Sequence, residues 1–211
     1  PILPSKVVCV GRNYREHAAE HGAEVPNEPL LFLKPSTSVI GPRDAIRIPP
    51  QSQQVEHEAE LAVVIGVPGA RRADRAAAER AIFGYTCAND VTARDLQRRD
   101  GQWTRAKGFD SFCPLGPWIT TGVDVSDVEV RCEVGTGPDK MEVRQIGRTK
   151  DMVFDVPALV SYISHVMTLL PGDVVLTGTP AGVGPLETGN VVTVRVEGIG
   201  ELSNPVVAAP G

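Results

Sequence analysis

Three glutamates alternate in Glu56-His57-Glu58-Ala59-Glu60, directly ahead of the apolar run Leu61-Ala62-Val63-Val64-Ile65. Alternate side chains of a strand share a face, so the spacing predicts one long strand over 55–65 with the three carboxylates aligned. Carboxylates carried to the edge of a core are costly unless they are paired, protonated or bound to a cation. Asp90 follows a second apolar strand, Ala81 to Ala88, and supplies a third carboxylate if that strand lies beside the first. Three hard oxygen ligands with room for water or substrate suit Mg²⁺ or Mn²⁺. The competing reading of Glu58, Glu60 and Asp90 is a solvated strand end.

Three further groupings could do chemistry. His17-Ala18-Ala19-Glu20-His21 carries two histidines at i, i+4 on one helical face, the His-x-x-Glu-His string of inverted zinc peptidases. A zinc peptidase using His17 and His21, with Glu58 or Glu60 as third ligand, is therefore one expectation. In another, Glu20 orients His17 at i, i+3 and His17 acts as general base. Arg94, Gln97 and Lys107 form the second grouping, in which Lys107 beside a metal would stabilise a developing enolate. The third is Leu176-Thr177-Gly178-Thr179-Pro180, a strand running into a Gly-rich loop that lacks the lysine of a phosphate-binding loop. There a backbone can approach a small ligand closely, and Thr179 could donate to a carboxylate. A surface helix, a loop cation and a plain turn are the respective bland alternatives.

These groups need elements to hold them. Lys6 to Val10 reads as a buried strand, Asn13 as a cap and Tyr14 to His21 as a short helix. Arg71 to Arg80 reads as a second helix, and the segment from Val91 to Arg99 as a third. Gly101 to Pro117 is long for a structureless connection, which favours a functional loop. Val156 to Leu170 has an apolar stripe through Leu159, Val160, Ile163, Val166 and Met167, with Asp155 as cap and Pro157 in the first turn. Strands follow over 173–177, 191–196 and 202–207. Strands outnumber helices without regular alternation, which argues α+β.

Composition sets the outer bounds. The 211 residues are 42% hydrophobic and 22% charged, ordinary for a globular chain, and the length fits one large domain or two small ones. The net charge of -5 is spread without a basic patch, against nucleic acid as a partner, and no apolar run approaches a membrane helix. Four dispersed cysteines, Cys9, Cys87, Cys113 and Cys132, read as reduced residues of a cytoplasmic protein. The start at Pro1 rather than Met leaves open an additional N-terminal segment.

Together the segments carry a resemblance. Gly11-Arg12-Asn13-Tyr14 with His17 and Glu20, Phe32-Leu33-Lys34-Pro35-Ser36, Glu58-Ala59-Glu60-Leu61, Asn89-Asp90-Val91-Thr92-Ala93-Arg94-Asp95 and Leu176-Thr177-Gly178-Thr179-Pro180 occur in this order. The chain resembles the fumarylacetoacetate hydrolase family, closest to its acylpyruvate hydrolase and oxaloacetate decarboxylase group, from about Lys6 to Val206. The resemblance implies a single domain over 1–211, a mixed β-roll and a homodimer. It implies Mg²⁺ or Mn²⁺ at Glu58, Glu60 and Asp90, leaving Glu56 and His21 outside the metal set. It makes His17 and Glu20 a water-activating dyad and Lys107 an active-site cation, with Arg12, Gln97, Gly178 and Thr179 at the substrate. One departure is the Gly/Pro loop at 134–142, where the family usually has a tight Asn-Gly hairpin.

The implied activity is metal-dependent hydrolysis of a C–C bond in acylpyruvate-type 2,4-dioxo acids through an enolate. Oxaloacetate decarboxylation and isomerisation of 2-hydroxyhepta-2,4-diene-1,7-dioate in aromatic catabolism would use the same electrophilic site.

Overall fold

The computed structural model describes residues 2–20, 22, 24–137 and 140–209. It is an α+β chain of the mixed β-roll type, built from three sheets with a few short helices at their margins. The largest sheet has seven strands. In spatial order they are β2 (Leu30–Lys34), β1 (Val7–Gly11), β12 (Val174–Leu176), β6 (Ala59–Ile65), β7 (Ile82–Asn89), β9 (Cys113–Thr120) and β3 (Val39–Ile40). A second sheet runs β11 (Met141–Arg148), β10 (Glu129–Gly135), β14 (Val191–Val196), β15 (Gly200–Ala208) and β4 (Ile46–Ile48). A small third sheet joins β13 (Gly184–Pro185), β5 (Val55–His57) and β8 (Thr92–Ala93).

Alternation along β6 explains the layering. Leu61, Val63 and Ile65 point into a core shared with Val130, Cys132, Val194 and Leu202 of the second sheet. Ala62 and Val64 point the other way, toward Val7, Cys9, Leu115 and Leu176. Every residue of β6 is buried, and each large aliphatic so placed contributes roughly 1.5–3 kcal/mol. Helix α5 (Val156–Val166) closes the first core with Leu159, Val160 and Ile163, and α2 (Arg75–Arg80) lies against it.

The strand expected over 55–65 is two strands in two sheets. Glu58 belongs to neither. Ladder bonds are replaced at the break by side-chain amides: the Glu58 N–H donates to Asn89 Oδ1 at 3.0 Å and the Ala59 N–H to Gln145 Oε1 at 3.0 Å. Glu56 consequently leaves the face of the other two glutamates.

Other differences have local causes. Helix α2 starts at Arg75, where Asp74 Oδ1 accepts the Ala77 N–H. Helix α5 is capped by Asp155 as expected but ends at Val166. Thr92 and Ala93 pair as a strand, so α3 (Arg94–Asp100) begins only at Arg94. The long loop after it holds one helical turn, α4 (Thr104–Lys107), and the start of β9. Asn13 does not serve as a cap. Its side chain donates to the carbonyls of Phe154 and Thr177 and accepts the Phe154 N–H, tying three distant segments together. Helix α1 (Arg15–Glu20) follows it. The four cysteines are buried and free. No helix among the described residues is long and apolar enough to cross a membrane.

Candidate active site

Pairing of β6 with β7 sets the centre of the site. Ala59 lies opposite Asn89 and Glu60 opposite Ala88. Asp90, one residue past β7, therefore arrives beside Glu58 and Glu60. Ligand oxygens of the three carboxylates lie within 4.8 Å of one another, and all three residues are buried. Among the described residues this is the one group of His, Cys, Asp or Glu side chains gathered closely enough to hold a metal ion.

Four buried carboxylates, Glu56, Glu58, Glu60 and Asp90, share this region with three buried cations, Lys34, Arg94 and Lys107. Lys107 Nζ donates to Glu58 Oε2 at 2.9 Å and to Asp90 Oδ2 at 2.7 Å. Lys34 Nζ donates to the other Asp90 oxygen at 2.6 Å and to the Val91 carbonyl at 3.1 Å. Arg94 grips Glu56 through Nε at 2.7 Å and Glu58 through Nη2 at 2.6 Å. Glu60 is held by the Gly178 N–H at 2.5 Å.

The electrostatics divide the carboxylates. Burial opposes ionisation of Glu58, but Lys107, Arg94 and His17 outweigh it and hold its pKa well below the usual range. Burial, then Asp90 and Glu58, push Glu60 well above that range. For Lys107, Asp90 and Glu58 overcome burial and keep the ammonium charged. A divalent cation would relieve the crowding at Glu60 and take the place of its proton. The donor set, three hard oxygens with no sulfur or imidazole, fits Mg²⁺ or Mn²⁺.

A cavity of about 240 Å³ opens on this cluster. Glu58, Glu60, Asp90 and Lys107 line it together with His17, Arg12, Thr179, Gln97, Trp103 and Phe32. His17, on α1, faces its partner Glu20 with Nδ1 3.3 Å from Oε2. Glu20 in turn accepts the Gly182 N–H at 3.1 Å. Burial holds the imidazole below its usual pKa, outweighing the opposite pull of Glu58 and Glu20, so it is neutral near pH 7. Gln97 Oε1 accepts from Arg94 Nη1 at 2.6 Å. Arg12 adopts φ 58° at the turn after β1.

Gly178 does not line the cavity. It has φ +99°, and a Cβ there would lie 2.7 Å from that of Asn13. Its part is to deliver an N–H to Glu60. The Thr179 hydroxyl donates to the Ala59 carbonyl at 2.8 Å, and so not to a carboxylate in the cavity. His21 lies outside the described residues, and with it the two-histidine zinc arrangement.

Two participants escape sequence reasoning. Lys34 is 1% exposed while Leu30 and Leu33 of the same strand are 38% and 45% exposed. That inversion of the usual pattern is visible only in three dimensions. Gln145 is the one buried residue of a strand of mixed polar and apolar residues, in which even Val143 and Ile146 are exposed. Neither spacing nor type marks it.

Neutral base, buried cation and carboxylate cluster around one cavity are the equipment of an enzyme. The chain belongs to the fumarylacetoacetate hydrolase family, whose model for the fumarylacetoacetate (FAA) hydrolase C-terminal region matches residues 6–207. It is 46% identical to the human mitochondrial oxaloacetate tautomerase FAHD2A over 97% of this chain and 67% of that one. A 5-carboxymethyl-2-hydroxymuconate delta-isomerase from Mycobacterium smegmatis is 55% identical, with a TM-score of 0.91 over 100% of this chain and 82% of that one. A fumarylpyruvate hydrolase from Pseudomonas aeruginosa, solved with Mn²⁺ and pyruvate, is 34% identical, with a TM-score of 0.89 over 99% and 91%.

Proposed function

We propose that this protein is a divalent-metal-dependent enzyme that interconverts the keto and enol forms, or double-bond isomers, of a small 2-oxo dicarboxylic acid. The observation that carries the reading is that His17, hydrogen-bonded to Glu20, lines the same cavity as Glu58, Glu60, Asp90 and Lys107. Similarity to an oxaloacetate tautomerase and to a muconate isomerase supports it.

Held by Glu58, Glu60 and Asp90, Mg²⁺ or Mn²⁺ would supply Lewis acidity that lowers the cost of an enolate. The protein's own groups do the rest. Glu20 accepts from His17 Nδ1 and leaves Nε2 as the basic nitrogen. Nε2 takes a proton from the carbon next to the 2-oxo group and returns it to oxygen or to another carbon. Lys107 favours the negative charge that develops meanwhile. Gln97 and Arg12 orient the substrate's polar ends.

A second reading is hydrolysis of an acylpyruvate, favoured by the His17–Glu20 pair, which is equally suited to activating a water. The fumarylpyruvate hydrolase supports it. Oxaloacetate decarboxylation would need no such base. The test is a panel of enol-oxaloacetate, oxaloacetate and acetylpyruvate with Mg²⁺, with Mn²⁺ and after EDTA. Metal-dependent loss of the enol absorbance without release of CO₂ or acetate supports the first reading. Release of acetate supports the second, and activity indifferent to EDTA overturns both.

A further inference from the structure

Gln145 is the one buried residue of β11, at the edge of the second sheet. All four hydrogen-bonding positions of its amide are used. Oε1 accepts from His57 Nδ1 at 2.9 Å and from the Ala59 N–H at 3.0 Å. Nε2 donates to Thr179 Oγ1 and to the Pro180 carbonyl, both at 2.7 Å. Orientation of the amide is not arbitrary, because the Ala59 N–H can meet only an oxygen. The loop is pressed against β11 on either side of the glutamine. A Cβ on Gly147 would come within 2.5 Å of Pro180, and one on Gly182 within 2.1 Å of the Arg144 carbonyl.

These bonds decide what Thr179 shows the cavity. Its oxygen accepts from Gln145, and its single hydrogen goes to the Ala59 carbonyl. A hydroxyl has one hydrogen and two lone pairs, so one lone pair is left for the cavity. We propose that Gln145 is a positioning residue that fixes Thr179 as a hydrogen-bond acceptor toward the ligand. This site therefore favours a ligand with a hydroxyl at C2, as in the enol form, over one offering only oxygen acceptors. The inference rests on the 2-oxo acid reading above.

The experiment compares lactate, whose C2 hydroxyl is a donor, with oxalate, which at neutral pH has only acceptors. Both are titrated by Trp103 fluorescence with Mg²⁺ present. Thr179→Val should weaken lactate about tenfold, the scale of one lost hydrogen bond, and leave oxalate within about threefold. Thr179→Ser should restore lactate. Gln145→Met should reproduce the selective loss, and the Thr179→Val/Gln145→Met pair should bind no worse than Thr179→Val alone. Equal weakening of both probes by Thr179→Val would overturn the acceptor role. Additive losses in the pair, or a Gln145→Met protein with a lower melting temperature but unchanged affinities, would overturn the positioning role. Should Gln145→Met fail to fold, Gln145→Glu keeps an oxygen toward His57 and Ala59 and carries the same comparison. Failure of the wild type to bind either probe would bring down the 2-oxo acid reading and this inference with it.

Discussion

The main-chain N–H of Asp90 donates to the carbonyl of Glu58 at 2.9 Å. Their carboxylates are thus brought together by backbone, at the point where β6 and β7 stop pairing, rather than by side-chain reach alone. Such a site is set by strand register, and a slip of one residue would turn Glu60 to the opposite face.

Asp90→Asn should weaken Mn²⁺ binding about 100-fold or more, because it removes a charged ligand and leaves Lys34 and Lys107 facing a neutral amide. Loss of an anionic partner by two buried ammonium groups should also cost about 3 kcal/mol of stability. Paramagnetic titration of Mn²⁺ and a urea melt read the two effects separately. Wild-type Mn²⁺ affinity in the variant would count against the ligand assignment.

His17→Gln should lower kcat for proton transfer by about 10²–10⁴, the ordinary contribution of a general base. Glu20→Gln should cost less, since it keeps a partner for the ring and loses only its charge. If oxaloacetate decarboxylation also occurs, it should survive both changes, because CO₂ loss needs no base. Comparable loss of all activities would show that His17 holds substrate rather than moving protons.

Arg94→Met leaves Glu56 and Glu58 buried without their guanidinium and should destabilise the fold by about 3–5 kcal/mol. Adding Glu56→Gln should recover about 1 kcal/mol or more, since one of the stranded charges is then gone. Chemical denaturation of the two variants gives the comparison. Additive damage would mean that the pair is not coupled.

Asp173 gives stability a pH dependence remote from the site. Burial opposes its ionisation, but hydrogen bonds from Lys6, Ser5 and the Leu170 N–H win and lower its pKa from 3.8. A carboxyl whose folded pKa is depressed stabilises above the unfolded value and loses that contribution as pH falls through the folded one. Asp173→Asn should therefore cost about 2 kcal/mol at pH 7, with the gap to the wild type closing below about pH 4. Urea melts taken from pH 7 down to pH 2 measure it; a gap that does not narrow as the pH falls would mean the loss is not electrostatic.

Much of this was legible in the chain. Glu58, Glu60 and Asp90 stood at the ends of apolar runs, and the α+β class followed from the balance of strands and helices. What stayed hidden was set by contacts between distant segments. Glu58 leaves the strand because Asn89 and Gln145 supply amides from 31 and more than 80 residues away. Glu56 leaves the cluster because the strand breaks at Glu58, and Arg94 pairs its charge. Lys34 enters a leucine-bearing strand with its charge inward because Asp90, 56 residues on, neutralises it. Periodicity reports which face a residue prefers, and it is silent where a partner overrules that preference.

Strand β12 lies between β1 and β6, pairing in parallel with one and antiparallel with the other. The histidine dyad follows β1 and the carboxylates sit at the start of β6, so a segment that comes after both in sequence is wedged between two halves of the site. During synthesis from the N-terminus, every ionisable group of the cavity emerges before the strand that holds the halves apart. The acidic centre and its base therefore reach their working distance only once residues 174–176 have emerged and paired with both strands.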